Sequence, residues 1–227
     1  MLRLRAETGP YYQERRNPTT AGKSHAPMIV IAATELEVAA LRRELRHVPI
    51  VKTGVGLASV RAPLGELVVS CGLAGGLRDD LPTGTVLIPR EVRRPDGGVL
   101  ECDRELVDAF AEGARALGIE PVFDPMVTAS AIVTAGERAD WAARGYAGVD
   151  METGRLDVPR VAAVRVVLDT PQRELSKDWE RPVLAMLKPW NWPQAVWLAR
   201  EAPRAARVAA RVVAQGIGAW VRITGQW

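Results

Sequence analysis

The fold is most constrained by an alternation of short apolar runs with segments of helical periodicity. Residues 28–34, MIVIAAT, are rich in β-branched side chains and are typical of a buried strand. Residues 35–45 follow with apolar side chains at helical spacing. The alternation continues along the chain, with strands predicted at 48–56, 65–77, 84–92, 97–102, within 121–135, at 147–152 and at 161–170, and helices at 103–118, 137–145 and 193–216. This order predicts an α/β fold, a three-layer α/β/α domain around a mostly parallel, mixed central sheet.

Length and local composition predict one domain preceded by an extension. The 227 residues suit a single large domain. Residues 1–27 are polar, interrupted by prolines and without the apolar segment of a signal peptide, so we predict a disordered extension. Residues 28–227 are predicted to form the domain, with a tryptophan- and arginine-rich helix from about residue 193. No apolar run reaches the ~18 residues of a membrane-spanning helix.

The charge balance argues against a nucleic-acid partner. Basic and acidic side chains nearly cancel, with a formal net charge of +3, and no long block of like charges occurs. Cys71 and Cys102 provide neither a disulfide framework nor the spacing of a metal site. We therefore predict no metal, and buried free thiols in a cytoplasmic protein.

Acidic and glycine residues follow several of the predicted strands. In α/β sheets, ligands bind at the carboxyl ends of the strands. The residues in these positions are Glu35, Glu37, Gly54, Gly56, Gly72, Gly75, Gly76, Asp150, Glu152 and Asp169. The sequence therefore predicts a ligand site that collects carboxylates at one edge of the sheet.

Five segments between residues 28 and 170 resemble, in order, those of the nucleoside phosphorylase superfamily. They are IVIAATELEV, TGVG, SCGLAGGLRDDLPTGTVLIP, VDME and VRVVLDT. This family includes purine nucleoside phosphorylases, methylthioadenosine/S-adenosylhomocysteine nucleosidases and futalosine hydrolases. Residues 169–176, DTPQRELS, and the tryptophan-containing segment that follows are similar to the hopanoid-associated branch, the adenosylhopane phosphorylase-like proteins.

The resemblance implies two catalytic acids. Asp169 matches the aspartate that protonates the leaving purine, and Glu37 matches the acid that activates water in the nucleosidases. Glu35 takes that place if the register shifts. The residues also allow a structural interpretation of Asp169 as the cap of a following helix, with Pro171 at its first position.

The resemblance also implies a ribose site in the segment VDME. Glu152 matches the acid that accepts hydrogen bonds from the two ribose hydroxyls, and Met151 matches a methionine that packs against the nucleoside. The alternative for Glu152 is an ion pair at the sheet edge with Arg155 or Arg160. Asp150 is predicted to be structural, because it faces the other side of the strand.

The remaining implied contacts are with the base and with the nucleophile. The base would meet Ser130, Ile132 and Val133. Backbone N–H groups of the glycine turns could hold phosphate or water. The glycines in question are Gly54, Gly56, Gly72, Gly75 and Gly76, and the arginines nearest to them in the sequence are Arg42 and Arg61.

The implied activity is cleavage of the N-glycosidic bond of an adenine nucleoside, with adenosylhopane as the implied substrate. The branch implies phosphorolysis, with inorganic phosphate as co-substrate and no other cofactor; the alternative is hydrolysis with Glu37 as base. Residues 57–64 and 153–160 are too short for the helices that usually cover parallel crossovers. This shortening motivates a further alternative, a non-catalytic homologue that binds a nucleoside or a lipid.

The C-terminal region combines tryptophans with an arginine-rich helix. Six of the seven tryptophans lie there: Trp179, Trp190, Trp192, Trp197, Trp220 and Trp227. This pattern predicts peripheral membrane contact that would suit a lipid-linked nucleoside. The alternative is a tryptophan-lined core or subunit interface, and the resemblance implies a homo-oligomer.

Overall fold

The computed structural model describes residues 27–180 and 182–225. The predicted disordered extension, apart from Pro27, and Trp227 lie outside these residues. The elements are β1 (Met28–Ala32), α1 (Glu35–Glu44), β2 (Ile50–Lys52), β3 (Leu67–Gly76), β4 (Val86–Leu87), β5 (Glu91–Arg93), β6 (Val99–Glu101), α2 (Arg104–Ala116), β7 (Met126–Thr128), α3 (Ala135–Ala143), β8 (Gly148–Asp150), β9 (Arg160–Asp169), α4 (Pro182–Met186) and α5 (Trp192–Thr224).

The predicted α/β fold with a mostly parallel, mixed sheet is confirmed. Its centre is the parallel pair β3 and β9, which is in register from Leu67 beside Arg160 to Ala74 beside Val167 and then shifts, so that Gly75 lies beside Asp169. Strand β1 pairs in parallel with both β2 and β3. Strand β8 lies antiparallel to the end of β3 and is followed across the sheet by β7, β5 and β6. Strand β4 runs antiparallel to β9.

Burial explains why the apolar runs are continuous. Every residue of β9 after Arg160 is buried, so the run VAAVRVVLD has no solvent-facing side. Helices α1, α2 and α5 share one hydrophobic cluster with the sheet, which includes Leu41, Phe110 and Val213. The helices therefore cover one face of the strands that carry the predicted site residues.

The two short connections contain single 3-10 turns, Val55–Leu57 and Thr153–Arg155. Leu57 and Leu156 from these connections pack on a second hydrophobic cluster of the sheet. Because β8 runs antiparallel to β3 while β9 runs parallel to it, the link from β8 to β9 is not a parallel crossover. It therefore requires no helix, which corrects the expectation that residues 153–160 are too short.

Among the differences from the predicted elements, two have a clear physical reason. The predicted strand 84–92 is divided into β4 and β5 around Pro89, which has no N–H for a ladder bond. Helix α5 continues through Pro203 and past Gly216 to Thr224. Position 216 is a glycine because α5 packs closely on α2 there, and an added Cβ would overlap the ring of Phe110.

Candidate active site

A cavity of about 250 Å³ opens at the ends of β1, β3, β8 and β9. Seven of the predicted site residues line it: Glu37, Gly75, Ile132, Val133, Met151, Glu152 and Asp169. Much of the remaining wall is apolar, including Val55, Leu73, Val149, Leu168 and Leu175. An apolar pocket with a few convergent polar groups is typical of a small-molecule site.

Glu37 lies in the first turn of α1, where its carboxylate makes three hydrogen bonds. Oε2 accepts from the N–H and hydroxyl of Thr34, both at 2.8 Å, and Oε1 accepts from the N–H of Leu73 at 2.9 Å. Glu37 is only 5% exposed. The side chain of Glu35 is 74% exposed and pairs with Lys52 at 2.6 Å. Only Glu37 of these two acids lines the cavity, so the structure favours Glu37 over Glu35 as the acid at this position.

Glu152 follows β8 and is held at the cavity by the backbone. Its Oε1 accepts a hydrogen bond from the N–H of Gly56 at 3.0 Å, and its Oε2 lies 3.5 Å from Arg165 Nη2. Burial raises the pKa of Glu152, and the charges of Asp150 and Glu37 add to the increase. The pKa increase is opposed by Arg165 and by the Gly56 N–H.

The alternative partners of Glu152 are engaged elsewhere. Arg155 donates to the Met151 carbonyl and to Ser130 Oγ, both at 3.0 Å. Arg160 pairs with Asp103 and Glu105. The sheet-edge ion pair considered for Glu152 is therefore not formed. The ion-pair partner of Glu152 is Arg165 instead.

Arg165 was not anticipated, although it is a charged residue inside the apolar run of β9. It is buried and donates to Asp150 Oδ2, to Ser70 Oγ and to Thr153 Oγ1. Asp150 is therefore enclosed by hydrogen bonds and also borders the cavity. Gly72 makes room for this group, since an added Cβ would overlap Glu37 Oε1 and lie 2.5 Å from Arg165 Nη1.

Asp169 ends β9 and forms an ion pair with Arg138 of α3. No α-helix begins at Thr170 or Pro171, where the chain forms a turn. The interpretation of Asp169 as a helix cap is therefore wrong. Arg138 is also buried, and it donates to the carbonyls of Gly76 at 2.6 Å and Val133 at 3.2 Å.

Arg138 was missed because its segment, ERADWAARG, looks like an ordinary surface helix. Its burial depends on partners that are 31 and 62 residues away in the sequence. No local pattern marks such a residue. The structure thus adds a cation beside the predicted leaving-group acid.

Five predicted residues do not line the cavity: Gly54, Gly56, Gly72, Gly76 and Ser130. The Gly56 N–H is occupied by Glu152, and the Gly76 carbonyl by Arg138. Arg42 and Arg61 are exposed, and Arg61 donates to two carbonyls of its own turn. Of the five glycines only Gly75 lines the cavity, and the N–H of Gly56 is already taken by Glu152. The glycine site for phosphate or water stays a prediction.

Two features are absent from the residues that the structure describes. Within 27–180 and 182–225, no group of three or more His, Cys, Asp or Glu side chains is arranged to hold a metal ion. No helix in these ranges is long and apolar enough to cross a membrane.

Solved structures with a similar architecture include two nucleosidases and a futalosine hydrolase. No family model and no curated protein matches the sequence. A mutant Helicobacter pylori 5′-methylthioadenosine nucleosidase with 5′-methylthioadenosine in its active site has a TM-score of 0.62 at 11% identity, over 86% of this chain and 99% of that one. H. pylori futalosine hydrolase has a TM-score of 0.62 at 13% identity, over 85% and 97%. The Colwellia psychrerythraea 5′-methylthioadenosine/S-adenosylhomocysteine nucleosidase in complex with adenine has a TM-score of 0.63 at 19% identity, over 85% and 95%. The chain therefore has the fold of these nucleosidases.

Proposed function

We propose that the protein hydrolyses the N-glycosidic bond of an adenine nucleoside. The observation that carries the proposal is the convergence of Glu37, Glu152 and Asp169 on one largely apolar cavity. These carboxyl groups come from three separate elements, and glycoside hydrolysis requires acids that serve the nucleophile and the leaving group. The nucleosidase fold of the neighbours supports the same conclusion.

Each acid has one task in this reaction. Glu37 takes a proton from a water molecule, whose oxygen forms the new bond to the anomeric carbon. The bond from that carbon to the purine breaks with its electron pair on the base, and Asp169 supplies a proton to the base. Glu152 accepts hydrogen bonds from the ribose hydroxyls, which strengthen as positive charge develops on the sugar. Solvent then returns a proton to Asp169 and removes one from Glu37.

The charges around the cavity favour water over phosphate. Arg165 is surrounded by Glu37, Asp150 and Glu152, so the nearby acids outnumber it. Its Nε and Nη2 donors are already used by Asp150, Ser70 and Thr153. A phosphate anion placed here would face excess negative charge. Hydrolysis is therefore our proposal, although the sequence resemblance had favoured phosphorolysis.

We expect adenine release from adenosine and 5′-methylthioadenosine to be independent of phosphate. In ¹⁸O-labelled water, mass spectrometry should find one ¹⁸O atom in each ribose product. A rate that requires phosphate, with ribose 1-phosphate as product, would establish phosphorolysis instead. Binding of either nucleoside without any adenine release would support the non-catalytic alternative.

We propose further that the substrate carries a lipid at the ribose 5′ position and that the protein meets it at an anionic membrane surface. The supporting feature is an exposed apolar surface on α4 and the start of α5. It consists of Leu184, Met186, Leu187, Trp190, Trp192 and Val196, six of the ten exposed large hydrophobic side chains of the described residues. Patches of this kind mark interaction sites.

This surface differs from the one expected from the sequence. Trp197 and Trp220 of α5 are buried, so much of the tryptophan-rich helix belongs to the core. Residues 182–225 nevertheless contain six basic side chains and a single acid, Glu201. Two of these basic side chains, Lys188 and Arg200, lie within four residues of Trp190 and Val196, and positive charge there suits anionic lipids.

The apolar surface is connected to the cavity wall. Gln194 of α5 accepts from the N–H of Ser176 at 3.1 Å and donates to the carbonyl of Glu174 at 2.7 Å. Leu175, between these two residues, lines the cavity. A lipid bound at the apolar surface would therefore lie near the rim of the nucleoside site.

Flotation with vesicles tests the membrane proposal. We expect the full chain to bind phosphatidylglycerol-containing vesicles more strongly than pure phosphatidylcholine. Changing Leu187 and Trp190 to Glu should weaken binding about tenfold or more, because two anchoring side chains lose their apolar contact. The matched control changes Val99 and Ile223, which are 50% and 65% exposed outside this surface, to Glu. The proposal would be overturned if both double variants bound the vesicles equally. It would also be overturned if only the Leu187 and Trp190 variant lost self-association, because the apolar surface would then be a subunit interface.

A further inference from the structure

Glu174 presents a buried oxygen without a hydrogen bond beside the leaving-group acid. Its Oε1 has no hydrogen-bond partner among the described residues and lies 3.6 Å from Arg138 Nε. Arg138 also forms an ion pair with Asp169. Buried polar atoms are rarely left without a hydrogen bond, so this oxygen requires a physical reason.

The ion pair between Arg138 and Asp169 conflicts with proton donation. A guanidinium in contact with a carboxylate stabilises the ionised form. Asp169 must be neutral to give a proton to the leaving purine. Arg138 therefore has to leave Asp169 at some point in the catalytic cycle, and a buried cation needs another carboxylate when it does so.

We propose that Arg138 moves from Asp169 to Glu174 when a purine enters the cavity. This inference rests on the proposed function, because it assigns Glu174 a role in freeing the leaving-group acid. The move is short, since Nε already lies 3.6 Å from Glu174. Glu174 is a positioning residue, because it acts on Arg138 and not on the substrate.

The contacts of Arg138 explain how a purine would trigger the exchange. Its Nε donates to the carbonyl of Val133, and Val133 lines the cavity. A base that packs against Val133 changes the position of this acceptor. Gly76 holds the other side of the guanidinium at 2.6 Å and provides a fixed point for the rotation.

Glu174→Gln tests this role with two leaving groups. Without a carboxylate at position 174, Arg138 stays on Asp169, so we expect kcat for adenosine to fall about 10- to 100-fold with little change in KM. Cleavage of 4-nitrophenyl β-ribofuranoside should stay within about twofold of wild type, because nitrophenolate leaves without a proton. Glu174→Asp should restore part of the adenosine rate. Glu112→Gln, on the surface of α2, is the matched control.

The outcomes separate this inference from the proposed function. If Glu174→Gln lowers the cleavage rates of both substrates equally, or lowers neither rate, the positioning role of Glu174 is wrong. Asp169→Asn should show the same selective loss as Glu174→Gln; if it leaves adenosine cleavage unchanged, the proposed function itself fails. A crystal structure with adenine decides the case independently of turnover. It should place a nitrogen of Arg138 within about 3.2 Å of Glu174, and an intact pair with Asp169 would overturn the proposal.

Discussion

Replacing Glu37 with glutamine is expected to lower nucleoside hydrolysis by about 100- to 10,000-fold, the usual effect of removing a general base. An amide cannot take the proton of the attacking water. The KM should change little, because the role proposed for Glu37 is to take a proton from water and not to bind the sugar. The measurement is the initial rate of adenine release from adenosine and from 5′-methylthioadenosine.

Glu35→Gln is the matched control for this prediction. Glu35 lies two positions earlier on the same helix but pairs with Lys52 in solvent, so the rate of this variant should stay within about twofold of wild type. Glutamine at position 37 also weakens the hydrogen bonds that this side chain accepts from Thr34 and Leu73, at a stability cost of about 1 kcal/mol. Rescue of Glu37→Ala by formate separates the chemical loss from the structural one. Equal rates for the Glu37→Gln and Glu35→Gln variants would exclude Glu37 as the base.

The sequence indicated which carboxylates share the cavity better than it indicated the path of the strands that bring them together. Glu37 and Asp169 follow β1 and β9, which are both parallel to β3, so their strand ends meet as expected. Glu152 reaches the cavity for another reason. Strand β8 pairs antiparallel with Gly75 and Gly76 at the end of β3 and then leads back to the site.

The residues that the sequence did not indicate are those whose positions depend on distant partners. Arg138 and Glu174 have helical or loop surroundings that are typical of surface residues. The sequence also does not give the direction of the glycine N–H groups, because that direction depends on backbone geometry. The N–H of Gly56, a residue with a positive φ of 63°, donates to Glu152. Only Arg165 had a local signal, as a charge within a buried strand.

Glu152→Gln is expected to lower kcat/KM about 100-fold and to raise the melting temperature. Activity falls because a carboxylate accepts two strong hydrogen bonds from the ribose hydroxyls, whereas an amide accepts more weakly. Stability rises because Glu152 is buried among Asp150 and Glu37, and its raised pKa means that its charge costs folding free energy. The expected gain is about 2–4 °C, the shift produced by about 1 kcal/mol in a chain of this size. Calorimetry and steady-state kinetics measure the two effects.

The change of stability with pH distinguishes a charge effect at Glu152 from a simple packing effect, because a packing effect would not depend on pH. Since the folded state holds the Glu152 proton more tightly than the unfolded state, stability falls as pH rises from the ordinary glutamate range through the raised pKa of Glu152. The stability of the Glu152→Gln variant should not fall over this pH range. The KM of the wild type should rise as pH falls through the same range, because a protonated Glu152 carboxyl is a poor acceptor for the ribose hydroxyls. Glu112→Gln, which removes an exposed charge paired with Arg222, should change neither property. If Glu152→Gln destabilises the protein and leaves kcat/KM intact, Glu152 is a structural partner of Arg165 and the ribose assignment is wrong.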